Sequence, residues 1–464
     1  MRRVLPVPAI MSRVSKLAMP VMLGMLIQMA CNIADMMMVG RLSPAEKAED
    51  AAAALEPALI ILWLVGGFFC SIQVGTQALV ARRFGEKAND LAGKVLANSF
   101  LIATIVGALI APIGALTIKY VFPIFHKKRE VIEYGVQYCQ IRFFCILPWV
   151  ATFSFKAFFD AIGRTHVHLF SAAIMTAVNL ATNYVLIFGE LGFPKLEVEG
   201  AGYGSLMGSF IGLVVMILWS LKRKYREGFQ IFKMANFDIR LVKEIARLSW
   251  PQGVVTVFLM SGFAFFTFVA GRLDAIDAAK TGVQTAVNGA ATACIINALH
   301  FCFIPAMGLG TAAGIMVGQS MGARQYNRAE LYVWETVKLG ALIFGTMGLV
   351  AVLFPGWVVG LFNHSESVIR AGEDAMRLIG FFEILVPLAL IFPQALFAAG
   401  NSKFVMYVEV ALHAGCLIGL SAVFGLALEW GLVGIWLTAG MYITGLAVLT
   451  GWKFVQGTWK EIRI

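Results

Sequence analysis

The chain has 464 residues, of which 59% are hydrophobic and only 14% charged, with a mean hydropathy of +0.80. A soluble domain carries roughly 25% charge and about 45–50% apolar residues, so there is too little charge here to coat a water-facing globule. A disordered chain, a nucleic-acid module and an ordinary cytosolic enzyme are excluded, and a polytopic membrane protein is indicated. Twelve apolar stretches are long enough for the roughly 20 helical residues that cross a hydrocarbon core. In chain order they are residues 14–39, 53–81, 95–118, 135–160, 167–189, 200–221, 248–271, 284–317, 331–354, 375–398, 404–427 and 431–453. Open sheet edges do not survive in lipid, so these spans are predicted to be helices and the fold all-α. Turn residues separate them, as at Gly40-Arg41-Leu42, Gly163-Arg164, Gly192-Phe193-Pro194 and Gly400-Asn401. The first run follows Arg2, Arg3, Arg13 and Lys16, lacks a small-residue cleavage site and is read as a span.

The net charge of +10 does not imply nucleic acid, because basic residues of membrane proteins gather on cytoplasmic loops. With the N-terminus inside, 23 of the 37 Lys and Arg residues fall on inner segments and 10 on outer ones. Both termini are therefore expected in the cytoplasm, with the basic cluster at 119–129 as the main dissent. The seven cysteines form no CxxC pair and lie in apolar runs, where they read as small hydrophobes.

The sequence repeats itself. Leu17-Ala18-Met19-Pro20 matches Leu248-Ser249-Trp250-Pro251, Gly40-Arg41-Leu42 matches Gly271-Arg272-Leu273, and Gly75-Thr76 matches Gly310-Thr311. Ile141, Phe143, Phe144, Ile146 and Leu147 likewise match Ile379, Phe381, Phe382, Ile384 and Leu385. The matches are collinear, so the expected organisation is an N-lobe over 1–221, a basic cytoplasmic linker over 222–247 and a C-lobe over 248–464. Six helices per half make the repeats parallel, an architecture shared by many transporters.

Polar groups inside spans are expensive, and an ionisable one is by default a functional candidate. Gln28, Asn32 and Asp35 share one face of the first helix by their spacing. The repeat partner of Asp35 is Phe266, so the shared fold does not require the acid. Thr176, Asn179 and Asn183 form a second stripe in the fifth helix. If the two stripes meet, a carboxylate ringed by amides and hydroxyls could hold a proton or a small hard cation. Glu383, whose repeat partner is Cys145, is a further candidate, as are Glu409 and His413, which read as an i,i+4 ion pair or relay. Lys156 with Asp160, and Glu335 with Lys338, read as interfacial structural pairs. No HExxH, GxSxG or Walker motif is present, so an enzyme is not expected and an ion gradient is the simpler energy source.

Taken with Pro20 to Gly40-Arg41-Leu42, Gly75-Thr76-Gln77-Ala78-Leu79-Val80-Ala81 before Phe84-Gly85, Gly310-Thr311-Ala312-Ala313 through Gln319 to Met321-Gly322-Ala323, and Asn179 to Gly189, the chain resembles the multidrug and toxic compound extrusion (MATE) family. The resemblance implies twelve helices in two pseudo-symmetric lobes around a V-shaped central cleft, in a plasma or inner membrane. It also implies antiport of organic, often cationic compounds against protons or sodium ions, with no cofactor. Asp35 matches the family's helix-1 acid, Asn179 its helix-5 asparagine, and Ser205 falls where many members have a hydroxyl. The expected coupling set is therefore Asp35, Asn179, Asn183 and Ser205; the substrate and second-lobe set is Gln28, Asn32, Glu383, Glu409 and His413. Many members carry a second acid at the position of Asn183, and some carry one in the seventh helix, near Leu259 here. The site is thus less charged than usual, which favours protons over Na+ at Asp35, Asn179 and Asn183. Expected partners are a small organic substrate and the bilayer, with a monomer as the working unit. A lipid-linked oligosaccharide flippase ranks second, for want of intramembrane cations beyond Arg142, Lys156, Lys338 and Arg377. A non-transporting membrane enzyme or scaffold ranks third.

Overall fold

Hydrocarbon forces each backbone N–H and C=O to be paired within its own segment, and helix is the one regular structure among the described residues. These are 7–231, 233, 236–282 and 286–464 of a computed structural model. Arg2, Arg3 and positions 284–285 of the eighth expected span lie outside them. Eleven helices are long and apolar enough to span, and a pair bent by 45°, Arg129–Phe143 with Ile146–Ala161, supplies a twelfth. By contact the chain divides into two compact units, Met19–Gly253 and Met1–Ala18 with Val254–Ile464. The divisions fall inside two long helices, beside Pro20 and Pro251, the prolines that the internal repeat pairs.

The unit Met19–Gly253 takes most of α1 (Pro8–Val39) and then α2 (Ala45–Cys70), α3 (Ile72–Gly85), α4 (Asn89–Val121), α5 (Arg129–Phe143), α6 (Ile146–Ala161), α7 (His166–Phe188), α8 (Glu197–Ser220), the short α9 (Arg223–Gly228) and the start of α10 (Ile239–Thr281). Pro148 has no N–H to donate and crowds the preceding turn. The chain relaxes ahead of it, with Phe144 N–H bonding Ile141 O at 3.1 Å and Cys145 N–H bonding Arg142 O at 3.0 Å. These tighter i→i−3 bonds mark the bend between α5 and α6.

Helices α7 and α8 approach through Gly200, Gly204, Gly208 and Gly212, small residues one turn apart on one face of α8. A Cβ at Gly200 would lie 2.7 Å from Leu186 C, and one at Gly208 2.8 Å from Met175 O. The linker after α8 is docked on the same unit. Asp238 N–H donates to Asn98 Oδ1 at 3.0 Å, Asn98 Nδ2 donates to Asn236 O at 2.7 Å, and Lys94 pairs with Asp238 at 3.1 Å. The Arg240 backbone N–H, then Lys94, holds the Asp238 carboxyl below the usual carboxylate range.

The unit containing Val254–Ile464 holds the rest of α10, α11 (Val287–Gly322), α12 (Tyr326–Leu353), the short α13 (Pro355–Gly360), α14 (Glu366–Phe382), α15 (Val386–Ala398), α16 (Ser402–Leu412) and α17 (Gly431–Gln456). A 3-10 turn at Glu383–Leu385 separates α14 from α15, ahead of Pro387, at the repeat equivalent of the α5–α6 break. After α16 the helix widens into π-turns over His413–Leu420 and Val423–Ala427. The core of this unit includes Phe266, whose ring meets Trp436 edge-on with centroids 4.9 Å apart.

Candidate functional site

Asp35, near the C-terminal end of α1, is 8% exposed. Its Oδ1 accepts a hydrogen bond from Asn183 Nδ2 at 2.6 Å. The same Asn183 amide group donates to Asn179 Oδ1 at 3.2 Å, and Asn179 Nδ2 donates to Ser205 Oγ at 3.2 Å. Cys31 Sγ donates to Asn179 Oδ1 at 3.2 Å. The two stripes read from spacing therefore meet, and Asp35, Asn183, Asn179 and Ser205 form one continuous buried chain across α1, α7 and α8. Thr176, the third member of the α7 stripe, has its Oγ1 buried without a partner.

Asn179 donates on to Ser205, and Asn183 donates both ways, to Asn179 and to the Asp35 carboxylate. A charge-assisted bond of this kind is worth about 1.5–3 kcal/mol, and it stabilises the ionised acid in place. The amide oxygen of Asn179 is engaged by Asn183 and Cys31, Asn183 Oδ1 is buried without a partner, and Asp35 accepts one N–H, from Asn183. Among the described residues no cluster of three His, Cys, Asp or Glu side chains is placed to hold a metal ion.

Asp35 also lines a cavity of ≈ 10 Å³, the scale of a single water. Asn32, Leu55, Leu59, Tyr138 and Arg142 share it. Asn32 is exposed and reaches this cavity; Gln28, half-buried, does not line it. Arg142 comes from the last turn of α5, where the helix C-terminus favours a cation. Its guanidinium stands 5.5 Å from the Tyr138 ring centroid, its Nε is buried without a partner, and its charge acts on Asp35. Sequence reading named Arg142 only as one of four intramembrane cations. Its meeting with Asp35 is set by the α5–α6 bend, which the matched Ile141-to-Leu147 and Ile379-to-Leu385 segments could have flagged.

Gly204 is the other residue that sequence reading missed. A Cβ there would sit 1.8 Å from Asn183 Oδ1, so the absent side chain is what makes room for the Asn183 amide. The glycine run on α8 was the available signal.

The second-lobe candidates are separate features in their own unit. Glu383 is 2% exposed, lies in the turn between α14 and α15, and has neither carboxyl oxygen hydrogen-bonded; the Cys302 thiol is its polar neighbour. Glu409 and His413 do not form the ion pair that i,i+4 spacing suggested. His413 Nδ1 contacts the Glu409 backbone oxygen at 2.6 Å, and its ring packs 4.6 Å from that of Tyr442. The turn between them is α-helical, with the His413 N–H on the Glu409 carbonyl, and the imidazole takes that same backbone oxygen in place of the carboxylate. Lys156 and Asp160 are paired at 2.8 Å, but with side chains 8% and 0% exposed they are buried, not interfacial. Glu335 pairs with Lys338 at 2.7 Å and also accepts from Val7 N–H at 2.6 Å.

A duplicated all-helical membrane fold, with the buried acid Asp35 in one repeat and Phe266 at its place in the other, defines a polytopic membrane transporter class. The family model described as MatE matches residues 20–185 and 251–423, each match starting at one of the paired prolines. The chain belongs to the MATE family of multidrug efflux transporters. It is 22% identical to the probable multidrug resistance protein YoeA of Bacillus subtilis, over 85% of this chain and 82% of that one. It is 23% identical to the probable multidrug resistance protein NorM of Thermotoga maritima, with coverage of 85% and 82%. A solved MATE in the bent conformation superposes with a TM-score of 0.84 at 20% identity, covering 97% of this chain and 94% of that one. The chain is a multi-pass membrane transporter and not an enzyme.

Proposed function

We propose that this protein is a secondary active antiporter that exports organic, cationic or amphipathic compounds in exchange for protons, with Asp35 as the proton-binding group. The observation that carries the reading is the isolation of one buried carboxylate at the end of the Asn183–Asn179–Ser205 chain. A carboxylate in such surroundings exists to change charge state, because a permanently charged or permanently neutral group there gains nothing for its cost. In the cycle, Asp35 is ionised while the organic compound is bound and protonated when the outward-facing state lets it go. Proton coupling is supported by the sparse charge of the site: Asp35 is the one carboxylate lining its cavity and accepts an N–H from Asn183, whereas a small hard cation is held by several oxygen ligands converging on it. Bacterial relatives named as multidrug resistance proteins support the substrate class. The setting is the inner membrane, with both termini cytoplasmic and one chain as the working unit.

The test is ethidium transport in proteoliposomes with proton and sodium gradients imposed separately. A proton gradient alone should drive wild-type transport, and Asp35→Asn should abolish it while leaving the protein folded. Full gradient-driven transport by Asp35→Asn, or transport driven by sodium and not by protons, overturns the reading.

A further inference from the structure

Arg142 is the one cation among the groups lining the Asp35 cavity. From α2 that cavity receives Leu55 and Leu59, from α8 Ala201, and from α5 Tyr138 beside Arg142. The titratable neutral groups around the two charges are Cys31, Tyr138, Cys139 and Cys145. Asp35 therefore faces one full positive charge and no second acid. Asp35 and Arg142 make no direct ion pair among the described residues; they share a cavity the size of one water. The guanidinium is held by its place in the last turn of α5 and by Tyr138, with Nε unpartnered.

The repeat supplies an independent observation. The second-half partner of Asp35 is Phe266 and that of Arg142 is Gly380. Both charges are missing from the second half together. Phe266 there fills the core against Trp436, and a Cβ at Gly380 would lie 2.9 Å from Gly348 O, so no side chain fits. Neither charge is required by the shared fold, and the two occur as a set.

We propose that Arg142 is the internal counter-cation of Asp35 and the residue that sets ion specificity: its guanidinium supplies the positive charge a metal ion would otherwise bring, so the site takes up protons and rejects Na+. A second full cation placed beside the carboxylate would be repelled by the guanidinium at close range in a low-dielectric site. A proton from the outer water instead forms an O–H bond on Asp35, leaving a neutral acid beside an arginine that stays charged at every working pH. The inference rests on Asp35 being the proton-binding group, and the experiment separates the two.

Purified full-length protein in nanodiscs is titrated with ethidium across pH, in NaCl or KCl at equal ionic strength. Wild type should give one pH midpoint for ethidium release, the same in both salts. Arg142→Gln should raise that midpoint by about 1–3 pH units, the range by which a neighbouring arginine favours an ionised aspartate, and should make release respond to Na+ but not K+. Arg142→Lys keeps the charge and should remain indifferent to Na+. Asp35→Asn should be flat in pH and in both salts. If Asp35→Asn titrates like wild type, the assignment of the proton to Asp35 fails. If Asp35→Asn is flat but Arg142→Gln keeps the wild-type midpoint and ignores Na+, the role of Arg142 alone fails. A wild-type midpoint that moves with Na+ and not K+ overturns it directly, with no variant needed.

Discussion

Gly204→Ala is the smallest perturbation that reaches the Asp35 chain without touching a polar residue. The added Cβ would stand 1.8 Å from Asn183 Oδ1, 2.8 Å from its Cγ and 3.0 Å from its backbone N. Ordinary carbon–oxygen contact needs more than 3 Å, so the amide must move by more than about 1 Å or α8 must back away from α7. The Asp35–Asn183 bond is 2.6 Å long, and a displacement of that size carries it out of hydrogen-bonding range. The loss of a bond to a charged group is worth about 1.5–3 kcal/mol, which is roughly a 10- to 150-fold change in an equilibrium constant. Overpacking adds about 1–3 kcal/mol of destabilisation. Gly212→Ala is the control, since its Cβ would meet only Met175 side-chain atoms, at 3.3 Å and beyond. The assay is proton-driven ethidium efflux, with thermal unfolding in detergent measured on both variants. Gly204→Ala should lose at least tenfold in efflux at a pH where wild type is fully active; Gly212→Ala should stay near wild type. Equal efflux by Gly204→Ala and wild type would refute the claim that this glycine positions Asn183. Equal loss in both variants would reduce the glycine run to general packing.

Two further outcomes follow from charge placement. Lys156→Met leaves the fully buried Asp160 without its one hydrogen-bond donor, Oδ1 being already unpartnered; removing one member of a buried pair costs about 3–5 kcal/mol. The double variant Lys156→Met/Asp160→Leu should recover most of the lost thermal stability, and a single variant as stable as wild type would show that the pair is not buried as described. Asp238, whose carboxyl the Arg240 N–H and Lys94 hold low, should keep the linker docked above its unfolded value of about 3.9 and release it as pH falls through the lower folded value. Hydrogen exchange over 236–240, corrected for intrinsic rate, should rise in that acid window in wild type and be already raised at neutral pH in Asp238→Asn.

How far the sequence discloses this molecule depends on the length scale at which each feature is determined. Apolar runs disclose the spans, because hydrocarbon thickness and backbone pairing act on every segment alike. They underreport the helices, however: the expected 248–271 is part of a helix running Ile239–Thr281. Hydropathy marks where lipid contact stops, and backbone hydrogen bonding continues past that point. The meeting of Asp35 with Asn183 was open in the spacing of two stripes, since each could be placed on one face without knowing the other. Arg142 was named only as an intramembrane cation, because spacing does not say which way a lone arginine turns, and the bend before Ile146 places it on the cavity. Glu409 and His413 misled for a related reason. The rule for i,i+4 neighbours puts two side chains on one face but leaves their partners open, and the His413 ring takes the Glu409 backbone oxygen in place of its carboxylate.

The duplication makes the chemistry of the two halves comparable position by position, and the comparison separates what folding needs from what transport uses. Pro20 and Pro251, the breaks before Pro148 and Pro387, and the close-packed Gly75 and Gly310 are kept in both halves. These are backbone features, and they recur because the same bends and close approaches recur. The buried charges named here do not recur. Asp35 becomes Phe266, Arg142 becomes Gly380, and Cys145 becomes Glu383. A buried charge that merely fastened the fold would be expected in both copies, since both copies pose the same packing problem. Glu383 fits this logic as well: it occupies a helix break with no hydrogen bond to either oxygen, a position that costs stability and that the first half fills with a small thiol. The acids of the two halves sit at different places in the shared plan. They are therefore two separate additions to one scaffold, and a proton taken by one is not the symmetric image of a proton taken by the other.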